Sequence, residues 1–159
     1  MKYKKLFILA VLWIAGLAIA AQEYATVNLW NTLIKDIKIR YSYSYRHQTV
    51  MLVPRYGQAV QQLNGSEISL RGFFLQGDVT GGSLVLSYNP MNMCFFCTGT
   101  GLETVVELQP KTGELHRFLR LKTDDFIEVS GTLKLNSGDF TRLIYILQDA
   151  TLVEIKNSR

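Results

Sequence analysis

Charge, cysteine, proline and catalytic signatures are all scarce in this chain. Its 159 residues carry 17 Lys plus Arg against 13 Asp plus Glu, a formal charge of +4. Lys2, Lys4 and Lys5 lie within the first five positions, and without them 14 basic side chains face 13 acidic ones, a net of +1. So balanced a chain lacks the basic footprint that nucleic acid demands. Two cysteines are too few for a disulfide scaffold. Gly-x-Ser-x-Gly, His-Glu-x-x-His, a phosphate loop and a Cys-x-x-Cys-His haem site are all missing. Only His47 and His116 offer imidazole bases, and His116 reads as a surface residue between Leu115 and Arg117. Neither an internal repeat nor a low-complexity linker interrupts the chain.

A long apolar run occurs once. Leu6 to Ala20 carries no charge, follows the basic Met1–Lys5 segment and ends in Ala18-Ile19-Ala20. A basic start, an apolar stretch and small residues at the cut form the layout of a secretory signal. The run of 15 residues is shorter than the roughly 20 that span a bilayer. Residues 1–20 are therefore expected to be a cleaved signal peptide, with the mature chain starting at Ala21 or Gln22. The expected location is exported, periplasmic or secreted, with no transmembrane span after cleavage. An uncleaved membrane anchor is the competing reading of the same run.

What the rest of the chain does have is apolar content and a period of two. Apolar residues make up 48% and charged residues 19%, which excludes a disordered chain and suits one domain over residues 21–159. Ile37, Ile39, Tyr41, Tyr43 and Tyr45 alternate with polar residues, as a half-buried strand requires. Val50 to Val53 is a short apolar run stopped by Pro54, and Gln58 to Leu63 suits one or two helical turns before the Asn64-Gly65 turn signal. Five further strands are expected: Glu67 to Gln76, Ser83 to Tyr88, Glu103 to Gln109, Phe126 to Leu135, and Leu143 to Gln148. Thr151 to Ile155 would extend the sheet after a break at Asp149-Ala150. Between the third and fourth strands, Lys111 to Thr123 fits a short helix or an irregular cover. Five strands with the longest insertion after the third follow the order of an OB-like barrel. Gly72 and Gly131, inside the first and fourth strands, fit the sharp bends a small barrel needs. The expected class is all-β with minor helix: a five-stranded OB-like barrel with an extra N-terminal strand. An open β-sandwich of similar strand count is the alternative.

Several stretches carry a family resemblance. They are Trp30 to Leu33, Leu63 to Phe73, Asn89-Pro90 before Cys94-Phe95-Phe96-Cys97, Glu103 to Leu108, and Tyr145 to Ala150. Together they resemble small exported bacterial proteins of unknown function with OB-type domains. The Cys-Phe-Phe-Cys element is the most specific part, and Leu102 stands where the family pattern suggests proline. The resemblance implies fold and location, and no activity.

One constellation could carry chemistry. Cys94 and Cys97 lie in a long connection, Asn89 to Gly101, where a strand hairpin normally uses about 2–5 residues. Long connections are where binding residues collect. Pro90 at one end and Gly99 and Gly101 at the other permit a sharp excursion and return. Outside the cytoplasm the default for the pair is a disulfide. Closing so small a ring adds little chain-entropy stabilisation, and a strained bridge is readily reduced, as a redox motif requires. Against redox chemistry, Thr98 to Gly101 is a poor helix start and no βαβ pattern surrounds the pair.

Metal is the other reading. Cys-x-x-Cys-x-Gly-x-Gly looks like one zinc-binding repeat of a class of heat-shock co-chaperones, which builds each site from two repeats where this chain has one. Met91 and Met93 would add two thioethers, a soft set that suits Cu(I), whereas a zinc site wants four ligands. Copper chaperones use Met-x-Cys-x-x-Cys, and Asn92 stands where that pattern has methionine. The bland alternative is that Met91, Met93, Phe95 and Phe96 are packing residues. Arg40-Tyr41-Ser42-Tyr43-Ser44-Tyr45-Arg46 could stack single-stranded bases, but tyrosines at period two are ordinary strand residues. The sequence thus points to an exported, non-enzymatic binding module for a protein or small ligand. A thiol-redox or soft-metal protein, with Zn or Cu at the Cys94/Cys97 pair, is the alternative.

Overall fold

The computed structural model describes residues 29–45, 48–76, 82–93 and 101–156. A short helix over residues 29–35 (α1) leads into β1 (Ile37–Ser44) and β2 (Thr49–Tyr56), then α2 (Gln58–Gln62). The remaining elements are β3 (Glu67–Leu75), β4 (Leu84–Ser87), β5 (Val105–Pro110), α3 (Leu115–Phe118), β6 (Phe126–Leu135) and β7 (Tyr145–Lys156).

β3 to β7 close into a barrel in the order β3-β4-β5-β7-β6, with β6 returning to β3. All neighbours are antiparallel except β5 and β7, which run parallel. With a short helix between its third and fourth strands, this is the expected OB-like barrel, and ring closure excludes the open sandwich. The two interior glycines sit where strands come closest. A Cβ on Gly72 would lie 2.5 Å from the Ser87 carbonyl oxygen, and one on Gly131 2.6 Å from that of Gln148. Real Cβ atoms do not approach so closely, so only glycine lets β3 and β6 turn these corners. The β6–β7 ladder shifts register beside Gly131, between Ser130 and Thr132.

Alternation fills the interior. Ile68, Leu70 and Phe74 of β3 and Ile127, Val129 and Leu133 of β6 point inward and are buried. At the end where β7 starts, Leu33 of α1 is fully buried and its carbonyl accepts the Tyr145 hydroxyl at 2.8 Å. At the opposite end Phe118 of α3 is buried against Phe74, with ring centroids 6.4 Å apart. Each end of the barrel is thus closed by an aromatic or aliphatic side chain from a helix.

Three sequence expectations need correction. Pro54 does not stop its strand: β2 runs through it to Tyr56, with Pro54 opposite Ile39. Among the described residues β2 pairs with β1 alone, and a strand with one free edge tolerates a residue lacking N–H. The extra N-terminal strand is accordingly one of two, in a separate ribbon. Finally, Asp149-Ala150 is no break. β7 is one strand of 12 residues, and Asp149, at φ 51°, absorbs the irregularity. An aspartate tolerates that left-handed conformation better than a branched residue would. The signal segment lies outside the described residues. Among the described residues, no helix is long and apolar enough to cross a membrane.

Candidate functional site

A candidate site lies between the ribbon and the barrel. The connection from β6 to β7, residues 136–144, folds back along β2. A cleft of about 240 Å³ opens there, lined by Leu52 and Pro54 of β2, by Leu102, and by the loop from Asn136 to Ile144. A second, more open cleft of about 480 Å³ continues along the same strand past Thr49 and Met51. Gly138, Asp139, Phe140 and Thr141 line it from the loop side, and the last three border both clefts.

The loop is held from inside by Asn136. Its Nδ2 donates to the Asp139 carbonyl at 2.7 Å and to that of Leu143 at 3.1 Å, and its Oδ1 accepts the Asp139 N–H at 3.0 Å. Asp139 accepts the Thr141 N–H at 3.0 Å and its hydroxyl at 2.6 Å. These bonds hold the Asp139 carboxyl below its usual range, so it is an ionised acceptor and not an acid.

Two anchors tie the loop to the rest of the fold. The Tyr56 hydroxyl lies 2.7 Å from the Asn136 carbonyl and 2.8 Å from that of Ile144, so one ribbon residue grips both ends of the loop. Burial pushes this hydroxyl well above the ordinary tyrosine range, keeping it a neutral donor. Arg142 forms a forked ion pair with Glu107 of β5, whose Oε2 also accepts the Leu143 N–H at 3.2 Å. Glu107 is only 9% exposed, and the hydrogen bonds from Arg142 and the loop offset the cost of burying its charge. The same hydrogen bonds raise the Arg142 pKa. Arg142 is therefore engaged in holding the loop, and the cleft is left with apolar walls from Leu52, Pro54, Leu102, Leu143 and Ile144 and a polar rim of Asn136, Ser137, Thr141 and the ionised Asp139. That composition suits recognition of an apolar group.

Of the residues singled out from the sequence, Pro90, Met91, Met93 and Gly101 are described. Met91 and Met93 share a single 3₁₀ turn, but they face differently: Met91 packs against the core, whereas Met93 is 62% exposed. Asp124 accepts the Met91 N–H at 2.8 Å, and the Met93 N–H donates to the Pro90 carbonyl at 2.9 Å. On the returning side, Gly101 adopts φ +81° and its carbonyl accepts the Thr104 hydroxyl. Both stems of the cysteine segment are thus fixed, and Leu102, just beyond it, lines the cleft. Cys94, Phe95, Phe96, Cys97 and Gly99 lie outside the described residues, as does His47. His116 is exposed on α3, its Nδ1 2.7 Å from the Gly113 carbonyl. Among the described residues no group of three or more His, Cys, Asp or Glu is placed to hold a metal ion.

Sequence reading did not single out β2 or the loop 136–144. One signal was present: Asn136-Ser137-Gly138-Asp139 is a turn cluster inside a connection much longer than a hairpin needs. No family model, no curated protein and no solved structure matches this chain.

Proposed function

We propose that this protein is an exported, non-enzymatic binding module that takes a compact, uncharged apolar group into the cleft between β2 and residues 136–144. The group is carried by a small ligand or by a side chain of a protein partner. The observation that carries the reading is the apolar wall of the cleft, with the ionised Asp139 held at its rim by Thr141 and Asn136. Leu52, Pro54, Leu102, Leu143 and Ile144 supply the walls, and Arg142, the one cation lining it, is paired with Glu107. The position agrees with the fold, since small barrels of this type recognise ligands with the loop between their last two strands. Export rests on the N-terminal sequence and on the resemblance to small exported bacterial proteins.

The test is solution NMR with a set of uncharged apolar fragments, comparing the mature protein with Leu52→Asp. Saturable shifts clustered on Leu52, Leu102, Leu143 and Ile144, and abolished by the substitution, are expected. Shifts that scatter over the surface, or that survive Leu52→Asp, would refute the assignment.

The cysteine pair supports a second reading, thiol-redox or soft-metal handling with Zn or Cu. What supports it is the sequence, which sets Met91 and Met93 just before the Cys94/Cys97 pair, two thioethers beside two thiols. Metal analysis and thiol titration of freshly purified protein decide it. Stoichiometric metal or reactive thiols favour this reading, and inert, fully oxidised cysteines without metal remove it.

A further inference from the structure

β1 has an unusual surface for an edge strand. It runs for eight residues and pairs only with β2. Among the described residues no strand takes its other edge. The loop 136–144 lies along β2, so the ribbon's open side is that of β1. Natural sheets usually blunt such an edge, because its free N–H and C=O groups are a template for another strand. Here the edge also bears large aromatic side chains. Tyr41 is 79% exposed, Tyr43 51% and Tyr45 88%, all on one face, while Lys38 and Arg40 occupy the other.

We infer that two copies of this chain pair through β1, antiparallel about a two-fold axis at Tyr41, joining the two ribbons into a single four-stranded sheet. Of the registers that keep apolar residues on one face and set no cation against a cation, this one pairs the most of β1, residues 38–44, whereas one centred on Ser42 pairs only residues 40–44. With Tyr41 opposite the partner's Tyr41, Ile39 meets the partner's Tyr43, Arg40 meets the partner's Ser42, and Lys38 meets the partner's Ser44. Apolar residues then share one face and no cation meets another. A register centred on Arg40 sets two guanidinium groups against each other. One centred on Ile39 sets Lys38 against the partner's Arg40. Like charges directly opposite are destabilising, and aromatic and β-branched pairs are favourable. A shift by one residue would put tyrosines on the same face as cations. The pairing is isologous, so it closes at two copies and leaves no further β1 edge. It leaves the cleft on β2 untouched, and its success or failure is independent of the ligand reading.

The contact is small beside the roughly 1,600 Å² of a standard interface, so the dimer is expected to be micromolar. Sedimentation equilibrium of the mature protein from about 1 to 200 µM covers that range. Wild type should show a monomer–dimer equilibrium. Tyr41→Lys puts two ammonium groups on the axis and should abolish the dimer. Tyr41 is so exposed in one copy that the fold should be unaffected, which circular dichroism checks. Ser42→Asp sets a carboxylate opposite the partner's Arg40 at both symmetric positions and should tighten the dimer roughly three- to tenfold. A wild type monomeric throughout, a dimer indifferent to Tyr41→Lys, or one weakened by Ser42→Asp would each overturn the inference.

Discussion

Gly131 shows how much a single position decides. Its missing side chain lets the β6 backbone pass within contact of Gln148, Leu147 and Ala150. Nothing about this packing is local, since β7 begins 14 residues further on. Even so, a glycine inside an alternating apolar strand marked the place. Gly131→Val should destabilise the protein by about 2–3 kcal/mol, because the new methyl groups meet backbone atoms that have nowhere to move. Gly138→Ala is the matched control: nothing lies within 4 Å of the added carbon, and the cost should stay below about 0.5 kcal/mol. Chemical denaturation of both variants checks the pair. Equal midpoints would show that Gly131 is not a corner. Glu107 is the opposite case, a carboxylate at a buried strand position with no sequence signal to explain it. Only the fold reveals Arg142 lying over it.

At the scale of elements, the informative contact is between the ribbon and the loop 136–144. No backbone ladder joins them. What holds them is the Tyr56 hydroxyl between two loop carbonyls, with the Tyr56 and Tyr145 rings 5.8 Å apart behind it. Tyr56→Phe keeps the ring and removes the hydroxyl, leaving those carbonyls without their shared donor. The expected cost is about 1–2 kcal/mol. Amide hydrogen exchange should rise selectively in residues 136–144, with the barrel strands unchanged. Uniform loss of protection over the whole molecule would mean that Tyr56 supports the core and not the loop. A matching loss of affinity for apolar fragments would tie the loop's order to the cleft.

At the scale of the whole molecule, the fold is a ring closed by hydrogen bonds, with a ribbon beside it whose β1 edge takes no further strand among the described residues. A barrel has no such edge to guard, so any association through strands falls to the ribbon. The proposed export also belongs to this scale, because it sets which chain folds. Mass spectrometry of protein recovered from the exported fraction should give an N-terminus at Ala21 or Gln22, following Ala18-Ile19-Ala20. An intact Met1 on that protein would argue for an anchored chain instead. Cleavage would also bring the net charge down to +1, leaving Lys38, Arg40 and Arg55 on the ribbon as a larger share of the remaining positive charge.

Period-two alternation was enough to determine, from sequence alone, that this is a β protein, where most strands lie and which faces turn inward. β6 was read to the residue as Phe126–Leu135. The longest insertion after the third strand and the glycines at 72 and 131 were enough for the barrel. Those features are local, and each has one cheap structural solution. Which sheet the N-terminal strands join was not local. Alternation in Ile37 to Tyr45 names an apolar face but not the partner that covers it, and Pro54 looked like a stop until a strand with one free edge made it harmless. The cleft was beyond sequence reading for the same reason. Its walls come from residues 52–54, 102 and 136–144, three segments that barrel closure brings together and that share no motif. Tertiary structure decided the site because apolar residues carry no label saying whether they fill a core or line an opening. That difference lies in what packs against them.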